Sequence, residues 1–141
     1  MGLGRTTRFA SAPPGSRRVS VMRAGSAGVK DLAPPVDLFE AFAREKTSLT
    51  KQGMPADRAH AEAFRRTHYR QRFLSHVRSS TPSMQALQRV IADAREHDVY
   101  LMCMCPYRTS GDACHTYLLL ELARELDPTV TILPEPRPKR R

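Results

Sequence analysis

Residues 98–104, Asp-Val-Tyr-Leu-Met-Cys-Met, form a nearly continuous apolar run that ends at a polar loop. A strand of this kind must be covered on both faces, which is the condition of a central strand in a parallel sheet. Helical patterns flank it. Upstream, Ser80-Thr81-Pro82-Ser83 supplies a cap, and Met84, Leu87, Ile91 and Ala94 recur at helical spacing to about His97. Downstream, Ala113 to Leu126 carries Leu118, Leu119, Leu122 and Leu126 on one face; Asp127-Pro128 stops it, and Thr129 to Leu133 reads as a last short strand. Helix, strand, helix, strand requires a right-handed crossover. The predicted architecture is therefore α/β, a small three-layer domain with a short, mostly parallel sheet flanked by helices.

The earlier chain fits this class. Arg18 to Arg23 alternate and include β-branched residues, so a strand is expected there, ended by Gly25 and Gly28. Asp37 marks the start of a helix through about Lys46, with Val36, Leu38, Phe39, Phe42 and Ala43 as its apolar face. Pro55 to about Val77 lacks glycine and internal proline and predicts one long helix carrying Phe64, Tyr69, Phe73, Leu74 and Val77.

The net charge of +9 resolves by segment. Residues 1–30 hold six bases and no acid, residues 135–141 hold four bases and one acid, and the 13 bases and 13 acids between them cancel. The expected boundaries are a disordered basic leader over 1–17, a single domain over 18–134 and a basic, proline-rich tail over 135–141. Pro13, Pro14 and Gly15 interrupt any amphipathic transit helix, and Met1-Gly2-Leu-Gly-Arg-Thr6 matches only a loose myristoylation pattern. Three cysteines, with no secretory h-region and no apolar run of membrane-spanning length, predict a reducing cytoplasm and no membrane.

All three cysteines fall between 103 and 114, in Cys-Met-Cys-Pro-Tyr-Arg-Thr-Ser-Gly-Asp-Ala-Cys, followed by His115. A loop from a strand end to a helix start is where ligands bind in α/β proteins, because free N–H groups and the positive end of the helix dipole converge there. With Ser110 or Asp112 as helix cap, Cys114 lies in the first turn, where a thiolate is stabilised and an imidazolium at His115 would lower its pKa further. Cys114 and His115 are accordingly the candidate catalytic pair. Arg108, Thr109 and Ser110, with Cys105 and with Arg23 from the neighbouring strand, are candidate ligands for an anionic or nucleotide-like small molecule. Cys103, Cys105, Cys114 and His115 also have the donor types of a zinc site, although adjacent Cys114 and His115 make joint ligation awkward. Cys103 reads first as a small apolar core residue. A nucleic-acid module is the other class: the basic tails, with Arg58, Arg65, Arg66, Arg70, Arg72 and Arg78 on the long helix, could track phosphates.

Leu101-Met-Cys103-Met-Cys105 followed by Cys114-His115 and a leucine-rich helix resembles the signature of the domain of unknown function 488 family. Residues 19–23, the Leu32 to Phe42 stretch and the Phe64 to Leu74 stretch extend that resemblance over about residues 18–133. It implies an α/β fold with a site at Cys103, Cys114 and His115 and a further match at Arg23. Thr116 stands where the family usually has arginine, and the family's opening strand–helix unit is absent or replaced by the basic leader. The resemblance implies no particular reaction.

Overall fold

The computed structural model describes residues 1–8, 10–25, 28–106, 109 and 112–138. Three strands, β1 (Leu3–Thr7), β2 (Arg17–Ser20) and β3 (Val99–Cys103), form a wholly parallel sheet in the order β1-β3-β2. Five α-helices follow the strands' demand for cover: α1 (Val36–Lys51), α2 (Ala56–Arg66), α3 (Tyr69–Ser79), α4 (Thr81–Ala94) and α5 (His115–Leu126). The domain is α/β, and the apolar run at 99–103 is its central strand.

Leu3, Val21, Val99 and Leu101 join Leu87 and Ile91 of α4 and Leu118, Leu119 and Leu122 of α5 in one buried cluster. On the opposite face, Tyr100 is buried beside Gly4 and Leu133. The caps agree with the local sequence: the Ser80 hydroxyl accepts a hydrogen bond from the Ser83 N–H at 3.3 Å, and Pro82 occupies the first turn of α4, where its missing N–H costs nothing. No helix among the described residues is long and apolar enough to cross a membrane.

Four expectations are corrected. First, the leader is part of the domain: Leu3–Thr7 is β1, all five residues are buried, and Leu3↔Val99 through Thr7↔Cys103 pair in register. A segment with a single strongly apolar residue, Leu3, escapes a hydrophobic-pattern reading. Its glycines serve close approach instead. A Cβ on Gly2 would lie 2.7 Å from the Thr131 carbonyl oxygen and one on Gly4 3.0 Å from the Tyr100 ring.

Second, the last segment makes only one bridge, Leu3↔Ile132, with Leu3 N–H donating to Thr131 O at 2.8 Å and Leu133 N–H to Leu3 O at 2.9 Å. It completes the free edge of β1. Third, the long helix is two helices. His68 sits in the left-handed region at φ 52°, after the Thr67 hydroxyl has bonded the Ala63 carbonyl at 2.8 Å. The turn brings Tyr69 inward against Phe42, Phe64 and Phe73, and this aromatic packing repays a conformation that a non-glycine residue adopts only at a cost. Fourth, Glu135 does not belong to a detached tail, because its carboxylate pairs with Arg5 at 2.7 Å.

Candidate functional site

β1 and β3 end level, with Thr7 opposite Cys103, and the amino-terminus of α5 faces this edge. Side chains of paired residues in a parallel ladder point to the same face, so Arg5, one step back from Thr7 on that face, shares the helix-facing side with Cys103. Sheet and helix therefore enclose a polar cluster at the carboxyl end of the strands.

The three sulfurs converge there: the Sγ atoms of Cys103, Cys105 and Cys114 all lie within 4.8 Å of one another. Cys103 Sγ and Cys114 Sγ are 3.2 Å apart, and both residues are buried, whereas Cys105 is half-buried. The Thr116 hydroxyl donates to Cys114 Sγ at 3.1 Å. Cys114 itself is the residue preceding the first turn of α5, in extended backbone; neither Ser110 nor Asp112 holds that position. Asp112 instead takes the left-handed conformation (φ 52°) that turns the loop into the helix.

Arg5 organises the cluster. Its side chain is 1 % exposed, and its guanidinium donates to Thr116 Oγ1 (2.9 Å), Glu135 Oε2 (2.7 Å), Tyr117 Oη (3.2 Å), Cys103 Sγ (3.1 Å) and the carbonyls of Cys105 (3.1 Å) and Pro106 (3.2 Å). Tyr117 closes the pair by donating to Glu135 Oε1 at 2.9 Å and by lying under the guanidinium, 4.6 Å from the ring centroid. A buried cation is tolerated only with such a complete set of partners. One side chain from β1 thus ties the cysteine loop, the start of α5 and the chain after Leu133 together.

The electrostatics divide the three thiols. Burial alone would raise the Cys114 pKa, but hydrogen bonds directed at its sulfur from Cys103, Cys105 and Thr116, with the Arg5 charge, hold it well below the ordinary thiol value. Cys105 is pushed up, first by its hydrogen bonds to Cys103 and Cys114 and then by burial. Cys103 is also raised: donation from Cys105 opposes the rise, and the bond to Cys114 and burial outweigh it. Cys114 is thus the most acidic of the three thiols. In return, Arg5, which burial would lower, is raised by the charge on Cys103 and Cys114.

The imidazolium expected at His115 is corrected. Burial lowers the His115 pKa and so disfavours the imidazolium; its Nε2–H donates to the Val21 carbonyl at 2.8 Å, which leaves Nδ1 3.8 Å from Cys114 Sγ. The groups that lower the Cys114 pKa are Arg5, Thr116 and the neighbouring thiols. His60, also lowered by burial, anchors the loop from α2 through a 2.6 Å bond from Nε2–H to the Ala113 carbonyl.

Cys103, Cys105, Cys114 and His115 are therefore brought together as the sequence suggested. The proposed anion ligands are not aimed at a common point. Arg23 donates to the carbonyls of Pro34 (2.8 Å) and Lys30 (3.3 Å), and the Thr109 hydroxyl to that of Pro106 (2.7 Å). Arg108 and Ser110 lie outside the described residues. Arg5, Thr116, Tyr117 and Glu135 are additions. The run Arg5-Thr6-Thr7, polar yet rich in β-branched residues, was the available signal for the first of these.

A cavity of about 120 Å³ adjoins the cluster, lined by Cys103, Cys105 and His115 together with Met22, Phe42 and Met104 among others. Five of the six helix arginines pair with carboxylates: Arg70 with Glu121, Arg78 with Glu125, Arg72 with Asp37, and Arg65 and Arg66 with Glu62. The expected arginine stripe is also divided between α2 and α3 at His68. No family model, curated protein or solved structure matches the chain.

Proposed function

We propose that the protein is a dithiol redox protein in which Cys114 is the nucleophilic thiol and Cys103 its disulfide partner. The observation that carries this reading is the 3.2 Å contact between two buried sulfurs, Cys103 taking a hydrogen bond from Arg5 and Cys114, whose pKa is lowered, one from Thr116. Closing to a disulfide needs a sulfur movement of only about 1.2 Å. The net reaction oxidises Cys103 and Cys114 to one disulfide and passes two electrons and two protons to an acceptor disulfide, R–S–S–R, which leaves as two R–SH. A low-pKa thiol beside a partner thiol is the arrangement such exchange requires. This reading keeps thiol chemistry at Cys114 and involves no anionic ligand, because Arg23 and Thr109 are turned to backbone carbonyls. Equilibration with glutathione redox buffers, followed by peptide mapping, tests it: a Cys103–Cys114 disulfide is expected, and three thiols that stay reduced across the series refute it.

A second reading rests on the sulfur triangle itself. Three cysteine sulfurs within 4.8 Å of one another, with His115 Nδ1 beside Cys114 and its Nε2–H held by a carbonyl, fit a soft cation such as zinc. Elemental analysis of protein purified under reducing conditions decides this: about one zinc per chain supports it and a metal-free chain removes it.

A further inference from the structure

The dithiol reading leaves one sulfur without a task and Cys114 without access. Cys103 and Cys114 are each 2 % exposed, and of the two only Cys103 lines the 120 Å³ cavity. Cys105 also lines it, is half-buried and so the most exposed of the three cysteines, and lies within 4.8 Å of both other sulfurs. Its loop is held in place by the Arg5 bond to the Cys105 carbonyl. We propose that Cys105 is the exchange thiol of this protein, carrying electrons between the buried Cys103–Cys114 pair and small-molecule thiols that enter the cavity.

This inference rests on the dithiol reading and assigns it a route. In the oxidised protein the Cys103 and Cys114 thiols, whose hydrogen bonds are the main cause of the raised Cys105 pKa, are tied up in the disulfide, so Cys105 can give its proton to solvent at the cavity and its thiolate attacks Cys103 Sγ. The Cys103–Cys114 bond breaks, a Cys103–Cys105 bond forms, and Cys114 leaves as the thiolate that Thr116 and Arg5 already accommodate. An external thiolate R–S⁻ then attacks Cys105 Sγ, the Cys103–Cys105 bond breaks, and Cys103 takes up a proton. A second R–S⁻ attacks the sulfur of R in the mixed disulfide, giving R–S–S–R and a Cys105 thiolate that regains its proton. Two R–SH are consumed, one disulfide is formed, and the protein gains two electrons. A disulfide between cysteines two residues apart closes a small ring and is strained, hence labile, as an exchange intermediate must be.

The partner class follows from the cavity. A volume of about 120 Å³ with largely apolar walls admits a –CH2–SH end and excludes a folded protein surface. The partner is therefore a low-molecular-weight thiol such as glutathione.

The test uses the full chain oxidised with hydrogen peroxide, which is small enough to need no exchange thiol, then reduced anaerobically. Reduction of the Cys103–Cys114 disulfide by glutathione should be at least about tenfold slower in Cys105→Ser than in wild type, while hydrosulfide, which needs no relay, reduces both alike. Equal glutathione rates would overturn the role of Cys105. If Cys105→Ser fails to fold, the wild-type mixed disulfide decides: glutathione attached to Cys105 supports the proposal, and attachment to Cys103 or Cys114 overturns it. Faster reduction of wild type by thioredoxin-like proteins than by glutathione would overturn the partner class. Absence of any Cys103–Cys114 disulfide after peroxide is a different failure, that of the dithiol reading itself.

Discussion

Replacing Arg5 with methionine keeps most of the side-chain volume and removes the charge that joins four parts of the chain. The guanidinium is 1 % exposed, and the Glu135 carboxylate it neutralises is 13 % exposed, so the variant removes the countercharge of a largely buried anion and one hydrogen bond each to the carbonyls of Cys105 and Pro106. Breaking a buried ion pair from one side costs about 3–5 kcal/mol. For a domain of this size that loss corresponds to a fall in melting temperature of about 10–20 °C. Urea unfolding followed by circular dichroism reads it directly. Arg5→Met combined with Glu135→Gln should recover about 1 kcal/mol or more, because the carboxylate charge that Arg5 neutralised is gone. A change below about 0.5 kcal/mol for Arg5→Met would refute the docking of β1 and the whole construction of the site.

Other outcomes follow from the same geometry. Gly2→Ala forces a Cβ to 2.7 Å from the Thr131 carbonyl and 2.8 Å from Leu133 Cδ2, and should cost about 1–3 kcal/mol in the same urea assay; a neutral result would detach residues 131–133 from β1. Thr116→Val removes a hydrogen-bond donor to Cys114 Sγ at constant volume, so the pH midpoint for thiolate absorbance at 240 nm in the wild-type protein should move upward in the variant; an unchanged midpoint would mean that Thr116 does not stabilise the charge. Stability should depend on pH on both sides of neutrality. His60 and His115 are held below the ordinary 6.5, so the unfolded chain takes up protons that the folded one refuses, and stability falls as pH drops below 6.5. Cys114 adds stability that grows towards pH 9 and is lost as pH falls through its depressed pKa. Cys103 and Cys105, raised above 9.0, make stability decline again at higher pH. A flat profile of urea midpoints from pH 5.5 to 7.5 would contradict the buried neutral imidazoles.

The parts of the fold written in apolar periodicity were legible: β3, α4 and α5 each carry a pattern strong enough to specify type and place, and the convergence of Cys103, Cys105, Cys114 and His115 follows from a strand end meeting a helix start. What escaped the sequence is what long-range pairing decides. β1 has one apolar anchor, Leu3, and buries a charge, so its composition argues for a solvated leader until Glu135, 130 residues away, is brought to Arg5. The break at His68 has no glycine or proline to announce it and is imposed by Tyr69 packing on Phe42, Phe64 and Phe73. Arg23 was a reasonable anion ligand by topology, and only the positions of the Pro34 and Lys30 carbonyls show that its donors are spent on the backbone.

The most direct measurement for the central claim is the disulfide state of the wild-type chain after equilibration across a glutathione redox series, with the linked peptides identified by mass spectrometry. A single two-electron transition that joins Cys103 to Cys114 and leaves Cys105 as a thiol is the predicted result. Retention of three free thiols throughout the series, or a stable end product joining Cys105 to either partner, would contradict it.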